Sequence, residues 1–496
     1  MKILTAEQIK ACDAATIAKG ISSGNLMEKA ARACVDWIKM NCQSKQKFSI
    51  FCGNGNNGGD GFAIARMLYE KGLDTEVFID KSNKQFSPDA HINFKKIKQL
   101  SGISIRDFSD FSPDSHENVV LIDAIFGYGL NRELSGSVKK VVEKMNQPAA
   151  TKISIDIPSG LFADRLIDEK STVFEADFTL TFQFYKRSFL HPESGKFCGK
   201  IIVLDIDLDA DFIAKAETGY FVIDEDLIRD IYKPRDDFAN KGTYGKSILV
   251  GGSYGKIGAI LMSSWAALRT GSGLTFVIAP ECGNFILQSQ IPEAMFINSG
   301  EKYLEKIEII DKATYGIGPG FGKEKHSQKA LVDFLKNHDR PILLDADALN
   351  IIAENNKSKL IPKHSIITPH PLEFERLFGS TENSFERLEL AKQKAEELQI
   401  FIVLKDHHTA IITPDGRVFY NITGNSGMAK GGSGDALTGI ITSLISQKYA
   451  IEEACIFGVW LHGKAGDLAA ESFSKEAMLP TDLIQKIGEV FKYLSG

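Results

Sequence analysis

The stretch Phe48-Ser49-Ile50-Phe51-Cys52-Gly53-Asn54-Gly55-Asn56-Asn57-Gly58-Gly59-Asp60-Gly61 decides the fold class. A short run of strand-forming, mostly apolar residues passes into a glycine-rich loop, and an apolar helical pattern over residues 62–69 follows at once. Buried strand, Gly-rich loop and helix form the phosphate-binding arrangement of a nucleotide-binding α/β fold. The spacing is not Gly-x-Gly-x-x-Gly, and the Lys-Ser/Thr pair of a P-loop is missing, so neither generic motif is matched. Asn56, Asn57 and Asp60 add side-chain oxygens, which suggests ligand or cation contacts beside the backbone donors.

Outward from this stretch the pattern repeats. On the N-terminal side, Thr5-Ala6-Glu7-Gln8 has the form of a helix N-cap, and two helical patterns follow, broken over residues 20–24. On the C-terminal side, residues 75–80 read as a strand, 89–100 as a helix, and 119–123 and 152–156 as strands ending in Asp123 and Asp156. In an open parallel sheet, ligands sit just beyond the carboxyl ends of the strands. Asn57, Asp123, Asp156 and Ser159 can therefore meet in one crevice; alternatively each Asp only caps the next turn. Residues 199–207 read as an edge strand. A polar stretch then leads to Gly219, and a boundary near residue 218 divides the chain into 1–218 and 219–496. The glycine-rich motifs on the two sides differ, so the chain reads as a fusion and not as a repeat.

The second half again alternates strands and helices: strands over 245–253, 274–279, 313–318, 341–345, 365–368 and 401–405, with a small-residue helix from 258 to 267. Its most informative run is Gly424-Asn425-Ser426-Gly427-Met428-Ala429-Lys430-Gly431-Gly432-Ser433-Gly434-Asp435, with five glycines in eleven residues before the closing acid. Glycines let backbone N–H groups converge, and the helix that follows adds positive dipole, which together make an anion cradle. A carboxylate beside phosphate is repelled unless it handles a proton. The alternative is a flexible turn with Asp435 as N-cap. His370, held between two prolines, is either a ligand contact or a structural His. Lys405 at a strand end either neutralises phosphate or is solvated surface. His407 and His408 lack metal-ligand spacing.

The 496 residues predict two or three domains, and 43% hydrophobic with 25% charged residues is the composition of a soluble globular protein. A net charge of −6 speaks against a nucleic-acid surface. Seven scattered cysteines with no Cys-x-x-Cys pair read as reduced thiols. With no signal-peptide core and no membrane-length apolar run, the expectation is a cytoplasmic protein without membrane association.

The motifs at residues 53–61, Asp123-Ala124-Ile125-Phe126-Gly127 and Asp156-Ile157-Pro158-Ser159-Gly160 resemble those of the NAD(P)H-hydrate epimerases. That resemblance implies a Rossmann-like three-layer αβα domain over 1–218, with K+ ligated by Asn57, Asp123 and Ser159. It implies substrate binding by Asn56, Asn57, Gly58, Gly59 and Asp60, and by the loop Gly127, Tyr128, Gly129, Leu130, Asn131, Arg132 and Glu133. Asp156 would be the acid/base. The motifs at 318–322, 345–350, Thr368-Pro369-His370-Pro371, Val403-Leu404-Lys405 and 424–435 resemble the ribokinase-like NAD(P)H-hydrate dehydratases, which implies a ribokinase-like α/β domain over 219–496. There the resemblance implies Asp435 as general base, with Ala259, Gly322, His370 and Asp435 lining the hydrate pocket. It implies nucleotide binding by Lys405, Asp406, His407, His408, Thr409, Gly432, Ser433 and Gly434.

Together the two motif sets resemble the bifunctional NAD(P)H-hydrate repair enzymes. The family implies epimerisation of the R and S hydrates of NADH and NADPH at nicotinamide C6. It implies ADP-dependent dehydration of the S hydrate, with AMP and phosphate released, Mg2+ accompanying the nucleotide, and a homo-oligomer. Two residues depart from the family pattern: Leu372 and Asp406 stand where glycine is usual. The rival reading is a ribokinase-like small-molecule kinase with a non-catalytic nucleotide-binding N-terminal domain.

Overall fold

The quoted apolar run forms strand β1 (Lys47–Cys52). In the computed structural model, which describes residues 1–43, 46–82, 85–113 and 118–496, it is joined by β2 (Thr75–Ile79), β3 (Ser104–Asp107), β4 (Val119–Ala124), β5 (Thr151–Ile155), β6 (Phe178–Phe182) and β7 (Lys200–Leu204). The order is β3-β2-β1-β4-β5-β6-β7, and every neighbouring pair is parallel. Strands buried on both faces read as continuous apolar runs. Phe48, Ile50 and Cys52 enter one core layer, and Phe51 enters the other, stacked on Phe78 at 4.8 Å between centroids. This is a three-layer αβα unit spanning Lys2–Thr218. The strand order reverses between β1 and β4, so the crevice beyond their carboxyl ends is where a ligand belongs.

The loop after β1 is shorter than the sequence suggests. The helix begins at Asn56, not at residue 62, and runs Asn56–Glu70 behind an N-cap at Gly55. Gly58, Gly59 and Gly61 therefore lie in its first turns. A Cβ on Gly58 would stand 1.8 Å from the carbonyl oxygen of Gly53. Glycine lets this helix start directly against the strand end, so packing explains part of what read as loop composition. The strand β6 was not anticipated. Its alternating threonines look solvent-facing, yet Thr179 and Thr181 are buried and donate to the carbonyls of Cys198 (2.7 Å) and Phe184 (3.3 Å).

The second unit comprises Gly219–Gly496 together with Met1. Its strands are β8 (Tyr220–Val222), β9 (Lys246–Val250), β10 (Leu274–Ala279), β11 (Met295–Asn298), β12 (Thr314–Ile317), β13 (Leu343–Leu344), β14 (Ile366–Ile367), β15 (Phe401–Leu404), β16 (Ala410–Ile412) and β17 (Val418–Tyr420). They form one ten-stranded sheet of order β11-β10-β9-β12-β13-β14-β15-β16-β17-β8. It is parallel except where β16 pairs antiparallel with β15 and β17. The strand order reverses between β9 and β12, again setting a crevice at the carboxyl ends. The helix Ser433–Ser446 crosses the helix Ile257–Thr270 at Gly439, where a Cβ would meet the Ser263 carbonyl oxygen at 1.9 Å. Among the described residues no helix is long and apolar enough to cross a membrane, and all seven cysteines are free thiols.

Candidate active sites

In the first unit the carboxyl ends of β4 and β5 are tied together by hydrogen bonds. Asp123, fully buried, accepts from Ser159 Oγ (2.6 Å), Ser159 N–H (2.7 Å) and Ile125 N–H (3.1 Å). Burial pushes its carboxyl up to about 6, against the opposing pull of these donors. Ser159 Oγ in turn accepts from Phe126 N–H (3.0 Å), which orders the loop after β4. Asn57 reaches from the helix start to donate from Nδ2 to the Ile155 carbonyl (3.2 Å), while its Oδ1 is buried without a hydrogen-bond partner. An orphaned buried carbonyl oxygen is costly unless something unmodified by protein donors, such as a cation, occupies it. Amide oxygen, hydroxyl and one carboxylate are hard donors of low total charge and suit a monovalent cation better than a transition metal.

Asp156 follows β5 with a left-handed backbone (φ 68°), an uncommon conformation for a residue with a side chain. Its Oδ1 accepts from Lys186 Nζ at 2.5 Å, and its Oδ2 accepts from Tyr128 N–H at 3.1 Å. Lys186 is fully buried and also donates to Thr181 Oγ1 (2.7 Å). Gly127 lies between Asp156 and Asn57, with its Cβ position 3.2 Å from Asp156 Oδ2. Asp156, Gly127, Tyr128 and Asn57 border a cavity of about 730 Å³, whose lining also includes Asn56, Asp60, the rest of the 127–132 loop and Asp13. Tyr128 donates its phenol proton to Asp13 Oδ2 (2.8 Å), and burial pushes the Tyr128 hydroxyl well above its usual range.

In the second unit the helix Ser433–Ser446 follows Gly432, whose φ of 103° is left-handed, and no side chain caps it. Asp435 is the third residue of this helix and not its N-cap, so the capping alternative is corrected. The uncapped amides face a site that also holds Lys405, whose Nζ lies 3.4 Å from the Cβ position of Gly434. Lys405 Nζ donates to Asp345 Oδ1 (2.9 Å) and stands 4.0 Å from Glu373 Oε2. Burial pulls the Lys405 ammonium down, but the carboxylates of Asp345 and Glu373 outweigh it and hold the group above its usual range. Thr438 Oγ1 donates to the other oxygen of Asp345 (2.8 Å). Burial, then the charge of Asp345, pushes Asp435 up to about 6, and Lys405 opposes both. The Asp435 carbonyl accepts from Ser263 Oγ (2.8 Å), one turn beyond Ala259. Gly322 N–H donates to Asp347 Oδ2 (2.9 Å), and Gly320 lies against Ala259.

The chain carries both halves of a known pairing. Residues 247–489 match the family model described as NAD(P)H-hydrate dehydratase, and residues 23–188 match that of the YjeF-related protein N-terminus. The bifunctional NAD(P)H-hydrate repair enzyme Nnr of Moorella thermoacetica is 32% identical over 495 residues, covering 95% of this chain and 92% of that one. The chain belongs to the bifunctional NAD(P)H-hydrate repair enzymes. The Escherichia coli member is 31% identical, covering 95% of this chain and 90% of its own. A solved ADP/ATP-dependent NAD(P)H-hydrate dehydratase from Bacillus subtilis, co-crystallised with ATP/Mg2+, is 32% identical and covers 55% of this chain and 98% of its own, with a TM-score of 0.49.

Of the residues expected from sequence, Asp123, Asp156 and Lys405 stand at strand ends, whereas residues 56–60 and 433–435 lie in the first turns of helices and Ala259 lies inside one. His370 accepts from Glu373 N–H at Nδ1 (3.3 Å) as N-cap of the helix Pro371–Phe378, and the rest of its ring is half-exposed. Residues 405–409 form the turn between β15 and β16. Asp406 is met by Arg387 (Nη1 to Oδ2, 3.4 Å), a cation that offsets the acid where the repair enzymes usually have glycine. Leu372, the other departure, is 59% exposed, and nothing in the structure explains it. Sequence reading missed Lys186, Asp13 and Glu373. Lys186 left one signal: a cation within the aromatic run Phe182-Gln183-Phe184-Tyr185-Lys186.

Proposed function

We propose that the two units perform two steps of one repair. Lys2–Thr218 interconverts the R and S hydrates of NADH and NADPH at nicotinamide C6, and Gly219–Gly496 dehydrates the S hydrate with ADP, releasing AMP and phosphate. The observation that carries the second step is Asp435. It is a carboxyl held near 6, beside uncapped helix amides and a fixed ammonium. Water is a poor leaving group at neutral pH, whereas a phosphate ester leaves readily. Asp435 takes the proton of the C6 hydroxyl as that oxygen attacks the β-phosphorus of ADP. The amides around Gly432, Ser433 and Gly434, with Lys405, stabilise the charge on the transferring phosphoryl group. The carboxylate faces the hydroxyl and the amides face the phosphate, which removes the repulsion between them. Ala259, Gly322 and His370 border the hydrate, and Asp406, His407, His408 and Thr409 border the nucleotide. Mg2+ binds largely through phosphates and water and needs no cage of protein ligands, so it would accompany the nucleotide.

In the first unit, Asp156 handles the proton of the C6 oxygen, and residues 56–60 and 127–133 hold the substrate. The orphaned Asn57 Oδ1, with Asp123 and Ser159, would hold K+, which supplies positive charge and order at the loop ends. A cytoplasmic location and a homo-oligomeric assembly belong to the same reading. The test is absorbance near 340 nm after adding hydrated NADPH and ADP. Regained absorbance is expected; a phosphorylated product with no NADPH recovered would instead identify a small-molecule kinase.

A further inference from the structure

Four carboxylates border the cavity of the first unit, Asp13, Asp60, Asp89 and Asp156, and their surroundings differ. Asp13 accepts from Tyr128, Asp89 accepts from Ser23 Oγ (3.2 Å), and Asp156 is paired with Lys186. Asp60 is only 9% exposed, yet among the described residues its side chain has neither a hydrogen-bond nor an ion-pair partner. Two cations border the same cavity, Lys10 and Arg132, and neither pairs with it.

A buried carboxyl without donor or cation keeps its proton, because the ionised form has nothing to replace water. Burial, with the charges of Asp156, Asp13 and Asp89, pushes Asp60 well above the carboxylate range. Asp156 is in the opposite situation. Protonating it would leave Lys186, fully buried, as an uncompensated charge. A carboxyl without a partner beside one fixed in a buried ion pair offers a proton donor and an acceptor at one site.

We propose that Asp60 is the proton donor of the epimerisation and that Asp156, paired with Lys186, is its carboxylate partner. This rests on reading the first unit as the epimerase. Asp60 gives its proton to the C6 hydroxyl. The C6–O bond breaks with its electron pair on oxygen, water leaves, and the N1 lone pair closes an N1=C6 double bond. Water then adds to either face of C6, that electron pair returns to N1, and the surplus proton passes to Asp156. Exchange with solvent through the cavity restores both groups. Nothing is oxidised or reduced, and only the configuration at C6 changes.

Activity then requires protonated Asp60. The rate falls on the alkaline side as Asp60 loses its proton. The groups facing Asp60 are Asp13, Asp89, Asp156, Tyr128, Lys10, Arg132 and the buried thiols of Cys34 and Cys52, with Lys186 behind Asp156. The test follows interconversion of purified R and S hydrates by chromatography, without ADP, using the full chain. Asp60→Asn is expected to slow epimerisation by at least ~10²-fold and to abolish the alkaline limb. ADP-dependent dehydration of the S hydrate by the same sample should be unchanged, since it belongs to the other unit, and a native melting curve reports that the first unit is folded. Asp60→Ala should regain part of its rate with added formate at acid pH. If Asp60→Asn epimerises near the native rate, or keeps the alkaline limb, the donor assignment is wrong. Asp156→Asn separates the two readings: if it is inactive in that case, the epimerase reading stands and only the donor falls. If both Asn variants epimerise normally, the epimerase site itself is misplaced.

Discussion

In the proposed dehydration Asp435 is the base, and burial pushes its carboxyl up to about 6, where it can both accept and release a proton. Asp435→Asn keeps the shape of the site and removes the base, so dehydration should fall by at least ~10²-fold while nucleotide still binds. The direction of the pH dependence follows from the raised carboxyl. Below about 6 Asp435 is protonated and inactive, so kcat for dehydration should drop on the acid side through that range. A rate flat from pH 7 to 5 would contradict the assignment. Asp406 makes a second case. Its pairing with Arg387 is partly exposed, a kind of contact contributing about 1 kcal/mol at most. Asp406→Gly should therefore change the KM for ADP by no more than about fivefold, whereas Arg387→Ala should raise it by exposing the acid. A KM lowered by more than tenfold in Asp406→Gly would show that the acid is not offset. At this scale Asp123, Asp156 and Asp435 are legible from their places at strand ends or after glycines. Lys186 is not, because only the fold carries it across the 30 positions from Asp156.

The elements explain why glycine-rich stretches were readable as sites but not as boundaries. Both runs precede helices, and in both the glycines allow close packing. At Gly58 the packing role dominates, since an added Cβ would lie 1.8 Å from the Gly53 carbonyl oxygen. Gly58→Ala should destabilise the first unit by about 1–3 kcal/mol, or about 3–10 °C in Tm, with epimerisation lost and the dehydration of the S hydrate kept. A native melting curve would show that the helix start can shift without cost. Period and composition revealed the longer parallel strands, such as β1, β4, β9 and β10, because these are largely apolar runs. They did not reveal β6, whose threonines satisfy backbone carbonyls inside the core, or the short strands β3, β8, β11, β16 and β17, three or four residues long.

For the molecule as a whole, two nucleotide folds of different motif sets in one chain make sense if one site produces what the other consumes. Dehydration proceeds from one epimer only, so a mixture of hydrates is fully repaired only when epimerisation keeps pace. The most direct measurement is the course of absorbance near 340 nm when a mixture of R and S NADPH hydrates meets ADP and the full chain. The native chain should recover the absorbance of the whole mixture. Asp156→Asn should recover the S fraction at the native rate and the rest only as fast as the epimers interconvert spontaneously, and Asp435→Asn should recover almost none. Recovery of the R fraction at the native rate by Asp156→Asn, or no recovery by the native chain, would contradict the account.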